Sequence, residues 1–217
     1  PRPVMRQSER GPAYAAALAR LWRAGLLFRC TCSRRDIEAA LSAPQEGAPL
    51  LGPDGLVYPG TCRPPPGTPP AGPLPVDGAL RLNMGAAVQV TGAARFFETG
   101  RPPLGPVTTS PDALVQGVGD VVLRRRDGAA AYHLAVVVDD AEQAITEVPR
   151  GEDLFEATAI HVVLQRLLDL PTPAYHHHRL IRDASGKRLA KRDESRALAT
   201  LRAAGWTPRD VRRAVGL

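Results

Sequence analysis

Cysteine is scarce in this chain, and its three cysteines lie at two places, Cys30-Thr31-Cys32 and Cys62. An odd number of cysteines, two of them one residue apart, does not suggest a disulfide framework. Thiolates are good zinc ligands, and one metal ion bound at both places would close the Pro/Gly-rich segment between them. Three thiolates leave a tetrahedral site one ligand short, and Asp54, Tyr58 or a water molecule could complete it. The alternative is three unrelated free cysteines, but the spacing favours a metal.

A second candidate for chemistry is the basic segment from Lys187 to Arg192, which follows Ala184-Ser185-Gly186. Compact cations on a glycine-led loop suit the phosphates of a nucleotide. The alternative is a solvated basic surface loop, and the segment alone favours that interpretation.

A third candidate is Arg150, which precedes Gly151-Glu152-Asp153 at the start of a predicted helix. A guanidinium there could receive both oxygens of a carboxylate. The hydroxyl of Tyr132 could orient an amine or a carboxylate. An interface ion pair for Arg150 and a core position for Tyr132 are at least as good on the residues alone.

The run His176-His177-His178 invites a metal interpretation. Adjacent residues of a strand alternate between its two faces, so the three rings cannot reach one ion. The run therefore predicts a partly buried His177 with exposed neighbours. The sequence shows neither a Gly-rich phosphate loop nor an assignable Ser/His/Asp arrangement.

Apolar spacing predicts the elements that must position these residues. Helices are predicted at residues 12–24, 36–41, 154–168, 194–204 and 208–214. Strands are predicted at residues 79–84, 89–91, 120–124, 144–149 and 174–181. Periodicity leaves residues 132–138 open between a buried strand and a short buried helix, and the prolines and glycines of residues 43–75 predict a loop. Strands alternating with helices predict an α/β fold.

Composition limits the class of protein. Hydrophobic residues make up 44% of the chain, enough for a packed core, and the formal net charge is +6. That charge suits an anionic partner such as nucleic acid, although an Arg-rich protein from a GC-rich genome would look the same. No apolar run is long enough to span a membrane, and no signal peptide is recognised, so we expect a cytoplasmic protein without membrane contact.

The order of the motifs is the strongest signal in the sequence. The motifs are Gln7-Ser8-Glu9-Arg10, Cys30-Thr31-Cys32, Tyr58-x3-Cys62-Arg63, Arg126-Asp127-Gly128, Tyr132-x-Leu134 to Asp140, Arg150 to Leu154, Tyr175-x-His177 and Lys187 to Arg192. In this order they resemble the glutamyl-tRNA synthetase-like family of class I aminoacyl-tRNA synthetases. The resemblance covers nearly the whole chain.

This resemblance implies a partial Rossmann-type catalytic domain with a small zinc-binding insert. It divides the chain into catalytic core (1–25), zinc-binding insert and Pro/Gly-rich loop (26–78), connective region and second half of the core (79–181), and KMSKS-type loop with C-terminal helices (182–217). It also implies that the segment after Tyr132 is helical. Because the chain stops 26 residues after Lys191, we expect no anticodon-binding domain.

The resemblance also implies roles for single residues. Tyr132 and Arg150 match the residues that hold the glutamate substrate. The family's zinc ligands match Cys30, Cys32, Tyr58 and Cys62. Lys191 matches the second lysine of the KMSKS-type loop, which contacts ATP and stabilises the transition state of adenylation. Arg188 stands at the first lysine of that loop and keeps its charge for ATP, whereas Ala190 replaces its serine.

We therefore expect the complete protein to activate L-glutamate with ATP and Mg²⁺. Within the family the chain is most similar to the branch that transfers glutamate to queuosine in the anticodon of tRNA-Asp. We expect a monomer. The HIGH-type motif is absent from the chain, so we expect the chain alone to be inactive. The rival hypotheses are a truncated enzyme that charges tRNA-Glu and a noncatalytic tRNA-binding module.

Overall fold

The computed structural model describes residues 4–42, 51–69, 72–182 and 197–216. The helices are α1 (Gly11–Arg23), α2 (Arg34–Ser42), α3 (Met84–Thr91), α4 (Pro111–Ala113, continued by a π-helical turn, Leu114–Val118), α5 (Tyr132–Glu142), α6 (Thr158–Leu167), α7 (Leu198–Ala203) and α8 (Pro208–Ala214). The strands are β1 (Leu27–Cys30), β2 (Leu51–Gly52), β3 (Gly55–Leu56), β4 (Ala79–Leu82), β5 (Ala94–Glu98), β6 (Gly105–Thr109), β7 (Val122–Arg124), β8 (Glu147–Gly151) and β9 (Ala174–His178).

A four-stranded mixed sheet forms the centre of the α/β fold. Its strand order is β6-β5-β9-β8, with β5 and β8 parallel to β9 and with β6 antiparallel to β5. Parallel strands need a crossover connection, and α6 supplies it between β8 and β9. The buried face of α6 packs against β5, α3 and α5, so the sheet and these helices share one apolar core.

A second, antiparallel sheet has the order β1-β4-β7. β1 comes from the part predicted as a zinc-binding insert, and it pairs with β4 of the following part over Leu27 to Cys30. The division of the chain into these parts stays a prediction. The sheet matters for the site because it fixes the end of β1, where the first two cysteines lie.

Helix α1 confirms the amphipathic prediction. Tyr14, Leu18, Leu21 and Trp22 are buried along one face, as their helical spacing requires. Pro12 occupies the first turn, where a missing N–H costs nothing, and Gly25 follows the helix with φ of 72°.

The strand predicted at residues 89–91 is wrong, because these residues end helix α3. The side chain of Asn83 caps that helix by accepting a hydrogen bond from the backbone N–H of Ala86. Gly92, with φ of 64°, ends it. A strong N-cap and a glycine stop outweigh the weak strand preference of Val90 and Thr91.

The structure also completes or corrects other expectations. The residues after Tyr132 form helix α5, as the family resemblance implies. Residues 43–75 are not entirely loop, because β2 and β3 form a short hairpin. Strands β5 and β6 were not predicted at all. The 154–168 helix is shorter than predicted, since a 3-10 turn (Glu152–Leu154) and a break precede α6.

Candidate functional site

The three cysteines converge although Cys62 is distant in sequence. Cys30 ends β1, Cys32 follows it, and Cys62 lies in the turn after Tyr58. Their sulfur atoms all lie within 4.8 Å of one another, and those of Cys32 and Cys62 are 3.4 Å apart. The thiols are free, and 3.4 Å is far longer than a disulfide bond. The predicted cluster is therefore formed.

Tyr58 brings an oxygen atom into this cluster. Its hydroxyl lies 3.4 Å from the sulfur of Cys30 and 3.5 Å from that of Cys32. The hydroxyl also accepts a hydrogen bond of 2.8 Å from the backbone N–H of Cys62. The hydroxyl oxygen therefore lies beside the sulfurs of Cys30 and Cys32. The guanidinium of Arg81 lies 4.0 Å from the centre of the Tyr58 ring and covers it.

The acid–base properties of the cluster are uneven. Burial raises the pKa of the Cys32 thiol and of the Tyr58 hydroxyl. Burial acts in the same direction on Cys62, but interactions with the Tyr58 hydroxyl and the Thr31 backbone outweigh it and lower the pKa of that thiol to about 6. A thiolate at Cys62 near neutral pH is the form that binds a metal ion.

Asp54, one of the alternatives for a fourth metal ligand, lines the same cavity as Cys30 and Cys32, but its carboxylate does not belong to the group of atoms within 4.8 Å of one another. It sits in the turn between β2 and β3, and its Oδ1 is 3.3 Å from Nε2 of the buried His133. Among the three alternatives, the Tyr58 hydroxyl is the protein atom that the fold places at the sulfurs.

Arg150 lies in β8 and is held by four hydrogen bonds. Its Nε donates to Nε2 of His177 and its NH1 approaches Nδ1 of His161, each over 3.1 Å. Its NH2 donates to the carbonyl oxygen of Leu154 (3.2 Å) and to the hydroxyl of Thr158 (2.5 Å). Of its five N–H groups, one on NH1 has no acceptor among the described residues. The expected contact with both oxygens of a carboxylate would need two free N–H groups, so Arg150 as placed here can bind only one of the oxygens.

Tyr132 begins helix α5 and is 48% exposed, so it is not a core residue. Its ring lies 5.7 Å from the ring of His161, centre to centre. Because Arg150 contacts the same imidazole, the two residues expected to hold glutamate are neighbours of one buried histidine.

Behind Arg150 lies a buried pair that the sequence analysis missed. Nδ1 of His177 is 2.5 Å from Oε2 of Glu98, and neither side chain is exposed. His177 is more deeply buried than the partly buried ring that was predicted, and of its two neighbours His178 is exposed whereas His176 is half-buried. Glu98 had one signal in the sequence: it occupies the same face of β5 as the buried Ala94 and Phe96.

The arginines at the end of β7 have structural partners. Arg124 donates to the carbonyl oxygens of Pro75, Asp77 and Gly78, and so fastens the end of the Pro/Gly-rich segment to β7. Arg126 donates to the carbonyl oxygen of Thr31, next to the cysteine cluster. The predicted ATP-binding residues, Arg188 and Lys191, lie outside the described residues.

Comparison with known proteins identifies the family. A match to the tRNA synthetases class I (E and Q), catalytic domain, covers residues 104–217. A glutamyl-Q tRNA(Asp) synthetase of Rhodobacter capsulatus is 60% identical over 215 residues, which are 99% of this chain and 76% of the relative. The chain belongs to the class I synthetase family for glutamate and glutamine.

Other synthetases of the family are also similar. A glutamyl-Q tRNA(Asp) synthetase of Nocardia farcinica is 42% identical over 96% of this chain, and one of Leptothrix cholodnii is 46% identical over 88% of it. This chain spans 61% and 60% of their lengths, respectively.

A solved synthetase structure has the same fold. The glutamate tRNA ligase of Elizabethkingia meningosepticum, in complex with its amino acid, superposes with a TM-score of 0.63 at 23% identity, over 90% of this chain and 38% of that one. At this identity the match shows the class I catalytic fold. In the described part of this synthetase domain, no helix is long and apolar enough to cross a membrane.

Proposed function

We propose that the protein containing this chain activates L-glutamate with ATP and transfers it to queuosine in the anticodon of tRNA-Asp. The observation that carries this proposal is that Tyr132 and Arg150 both contact the imidazole of His161. In a chain 60% identical to a glutamyl-Q tRNA(Asp) synthetase, these are the residues expected to hold glutamate. The net charge of +6 suits a tRNA partner.

The chemistry needs no covalent nucleophile from the protein. The carboxylate of glutamate attacks the α-phosphate of ATP, and the protein positions the reactants and offsets the charge that develops. Arg150 has one N–H left to bind an oxygen of glutamate, and the hydroxyl of the half-exposed Tyr132 can donate or accept a further hydrogen bond. Lys191 and Arg188 are proposed to neutralise the phosphates, and Mg²⁺ accompanies ATP.

We further propose that Cys30, Cys32, Tyr58 and Cys62 hold one structural zinc ion. The donor set fits zinc, since three sulfurs and a phenol oxygen form a compact four-atom group. Sulfurs bound tetrahedrally to zinc lie about 3.8 Å apart, and those of Cys32 and Cys62 are at 3.4 Å. Zinc would join the end of β1 to the turn after Tyr58. We expect the enzyme to act as a monomer.

Glutamate-dependent ATP–pyrophosphate exchange by the full-length protein tests the activation step. Arg150→Ala is expected to raise the KM for glutamate about 10- to 100-fold and that for ATP less than about threefold. Tyr132→Phe, at an exposed position that cannot disturb the core, is expected to raise the glutamate KM about threefold. Equal changes in both KM values for both variants would contradict the glutamate site.

The nucleic acid is tested separately, with tRNA-Asp that carries queuosine and the same tRNA without it. Transfer of labelled glutamate to the first alone supports the proposal. Transfer to tRNA-Glu at its acceptor end would support the rival enzyme, and exchange without transfer to any tRNA would refute the second half of the proposal.

A further inference from the structure

Six side chains form one continuous line of contacts through the site: Asp54, His133, His161, Arg150, His177 and Glu98. We propose that this line, which we call the histidine relay, fixes the position of the guanidinium of Arg150. In the relay all three imidazoles are neutral, and each donates its N–H in the direction away from Arg150. The proposal rests on the glutamate-binding role of Arg150. Each arm of the relay can be followed from donor to acceptor.

The first arm runs from Arg150 to Glu98. Oε1 of Glu98 accepts from the backbone N–H groups of Gly100, Arg101 and His177. Burial disfavours ionisation of Glu98, but its hydrogen bonds with His177 and with these N–H groups outweigh it and lower the pKa of this carboxyl to about 2. An ionised carboxylate can only accept, so Nδ1 of His177 must carry the proton.

With its proton on Nδ1, the neutral ring of His177 presents Nε2 as an acceptor. That nitrogen is the atom to which Nε of Arg150 donates, over 3.1 Å. The buried carboxylate therefore sets the tautomer of His177, and the tautomer sets where Nε of Arg150 must point.

The second arm runs from Arg150 to Asp54. NH1 of Arg150 can only donate, so Nδ1 of His161 accepts and its Nε2 carries the proton. Nε2 of His161 lies 3.0 Å from Nδ1 of His133, which must then accept. His133 carries its own proton on Nε2, and this nitrogen lies 3.3 Å from Oδ1 of Asp54. Both arms thus lead outward from one cation to a carboxylate, without a clash of two donors.

Burial supports the neutral state that this pattern requires. His133, His161 and His177 are 6%, 2% and 1% exposed. Because a charged imidazole at His161 or His177 would face the guanidinium of Arg150 in surroundings that exclude solvent, the neutral form of these two rings is favoured. For His133 the argument is the geometry alone, since its Nδ1 has to accept from Nε2–H of His161. Thr158 and the Leu154 carbonyl fix the remaining nitrogen of Arg150. The relay leaves the guanidinium one N–H for an amino-acid oxygen.

The relay predicts its own tautomers, which long-range ¹H–¹⁵N correlation NMR of the ¹⁵N-histidine-labelled full-length protein measures. At about pH 7.5 we expect His177 in the Nδ1–H form, and His161 and His133 in the Nε2–H form. Assignment uses the three His→Gln variants. Finding His177 in the Nε2–H form, or any of the three as an imidazolium, would overturn the relay whatever the protein's function.

Glu98→Gln is the sharpest substitution. Its amide oxygen must remain where Oε1 receives three backbone N–H groups, so its NH₂ group takes the place of Oε2 and faces Nδ1 of His177. The ring must then move its proton to Nε2, which opposes the N–H of Arg150. We expect the NMR signal of His177 to change tautomer and the glutamate KM to rise about tenfold, with the ATP KM nearly unchanged.

His161 offers a matched pair of variants. A glutamine side chain at this position can accept with its oxygen and donate with its NH₂ group, as the imidazole does, whereas a leucine side chain can do neither. We expect His161→Leu to raise the glutamate KM about tenfold and His161→Gln to stay within about threefold of wild type. Asp54→Asn, which keeps the acceptor at the half-exposed end of the relay, should stay within about twofold.

The outcomes separate the two levels of the proposal. If Arg150→Ala leaves glutamate use unchanged, the proposed role of Arg150 fails, and the tautomers still decide whether the relay exists. If Arg150→Ala raises the glutamate KM but Glu98→Gln and His161→Leu do not, the relay is not a positioning device. Equal loss for glutamate and ATP, without rescue by His161→Gln, would indicate a merely structural role and overturn the proposal.

Discussion

The hydroxyl of Tyr14 donates a hydrogen bond of 2.6 Å to Oδ2 of Asp139, which lies 125 residues later in the chain. Oδ1 of the same carboxylate accepts a hydrogen bond of 3.1 Å from Nε–H of Arg10. Helix α1 and the residues before it are thereby fastened to α5, the helix that begins at Tyr132. The Val-Val-Val-Asp-Asp motif thus contributes an anchor at Asp139, at the far end of α5 from Tyr132.

This anchor makes a stability prediction. Tyr14→Phe is expected to lower the free energy of unfolding by about 1 kcal/mol, since Asp139 keeps Arg10 as a partner. Asp139→Ala is expected to cost about 2 kcal/mol, because it leaves the buried hydroxyl of Tyr14 without its acceptor. Urea denaturation measures both. The matched control is Tyr132→Phe on α5, the helix that carries Asp139. Because Tyr132 is half-exposed, the loss of its hydroxyl should cost less than about 0.5 kcal/mol. Equal losses of stability for Tyr14→Phe and Tyr132→Phe would refute the anchor.

The cysteine cluster makes a prediction about metal content. Purified wild-type protein is expected to contain one zinc per chain, and Cys62→Ser none, because two thiolates and a phenol no longer complete the site. Elemental analysis of the dialysed proteins measures this. Thr31→Ala, between two proposed ligands, is the control and should keep the metal. A folded, zinc-free wild type would refute the site.

Tyr58→Phe tests whether the hydroxyl of Tyr58 is a zinc ligand or only contacts the cysteine sulfurs. If the hydroxyl binds zinc, its loss leaves three thiolates and a water molecule, so the protein should keep zinc but release it to a chelator at about tenfold lower chelator concentration. Competition with a chromogenic chelator measures the difference. Unchanged zinc affinity would mean that the hydroxyl of Tyr58 only contacts the sulfurs.

Local spacing made part of this structure predictable. The face of α1 and the face of α6 follow from apolar residues at helical intervals, and both faces are buried. Three cysteines in a cysteine-poor chain were enough to predict a cluster. Periodicity could not decide the segment after Tyr132, because a continuous apolar run has no helical or strand period; the family resemblance decided it.

The relay could not be predicted from spacing. Glu98, His177 and His161 come from β5, β9 and α6, and their contacts depend on strand pairing between residues far apart in sequence. A glutamate within a strand is also expected to be exposed, unless the residues two and four positions away show that it lies on the buried face. The sequence analysis assigned His161 no role within the helix predicted at residues 154–168, and so missed that a buried imidazole needs hydrogen-bond partners on both nitrogens.

The buried histidines make stability depend on pH. Burial and the charge of Arg150 lower the pKa of His161, and burial lowers that of His177 against the opposing pull of Glu98. Below about pH 6.5 the unfolded chain binds protons that the native protein does not, so the free energy of unfolding falls as the pH falls, by up to about 1.4 kcal/mol per pH unit for each histidine. Urea denaturation between about pH 8 and pH 5 measures the slope.

A comparison of variants isolates these histidines from other groups that titrate. Burial and the neighbouring Asp139 raise the pKa of Asp140. The native protein therefore binds a proton at Asp140 before the unfolded chain does, and this raises the free energy of unfolding as the pH falls. His161→Gln should therefore reduce the acid-side loss of stability, whereas His178→Gln, at an exposed position, should leave it unchanged. The same slope in wild type and His161→Gln would contradict a neutral, buried His161.

The final prediction concerns the basic segment that the family resemblance assigns to ATP. Lys191→Ala in the full-length protein is expected to lower kcat for ATP–pyrophosphate exchange by roughly 100-fold, because its ammonium offsets charge that develops only as the α-phosphate is attacked. Arg188→Ala should mainly raise the KM for ATP. Lys187→Ala, in the same segment but without a matching role, is the control and should stay within about threefold of wild type. If Lys187→Ala and Lys191→Ala cost the same, the segment attracts the nucleotide by its total charge, and Lys191 has no individual role in adenylation.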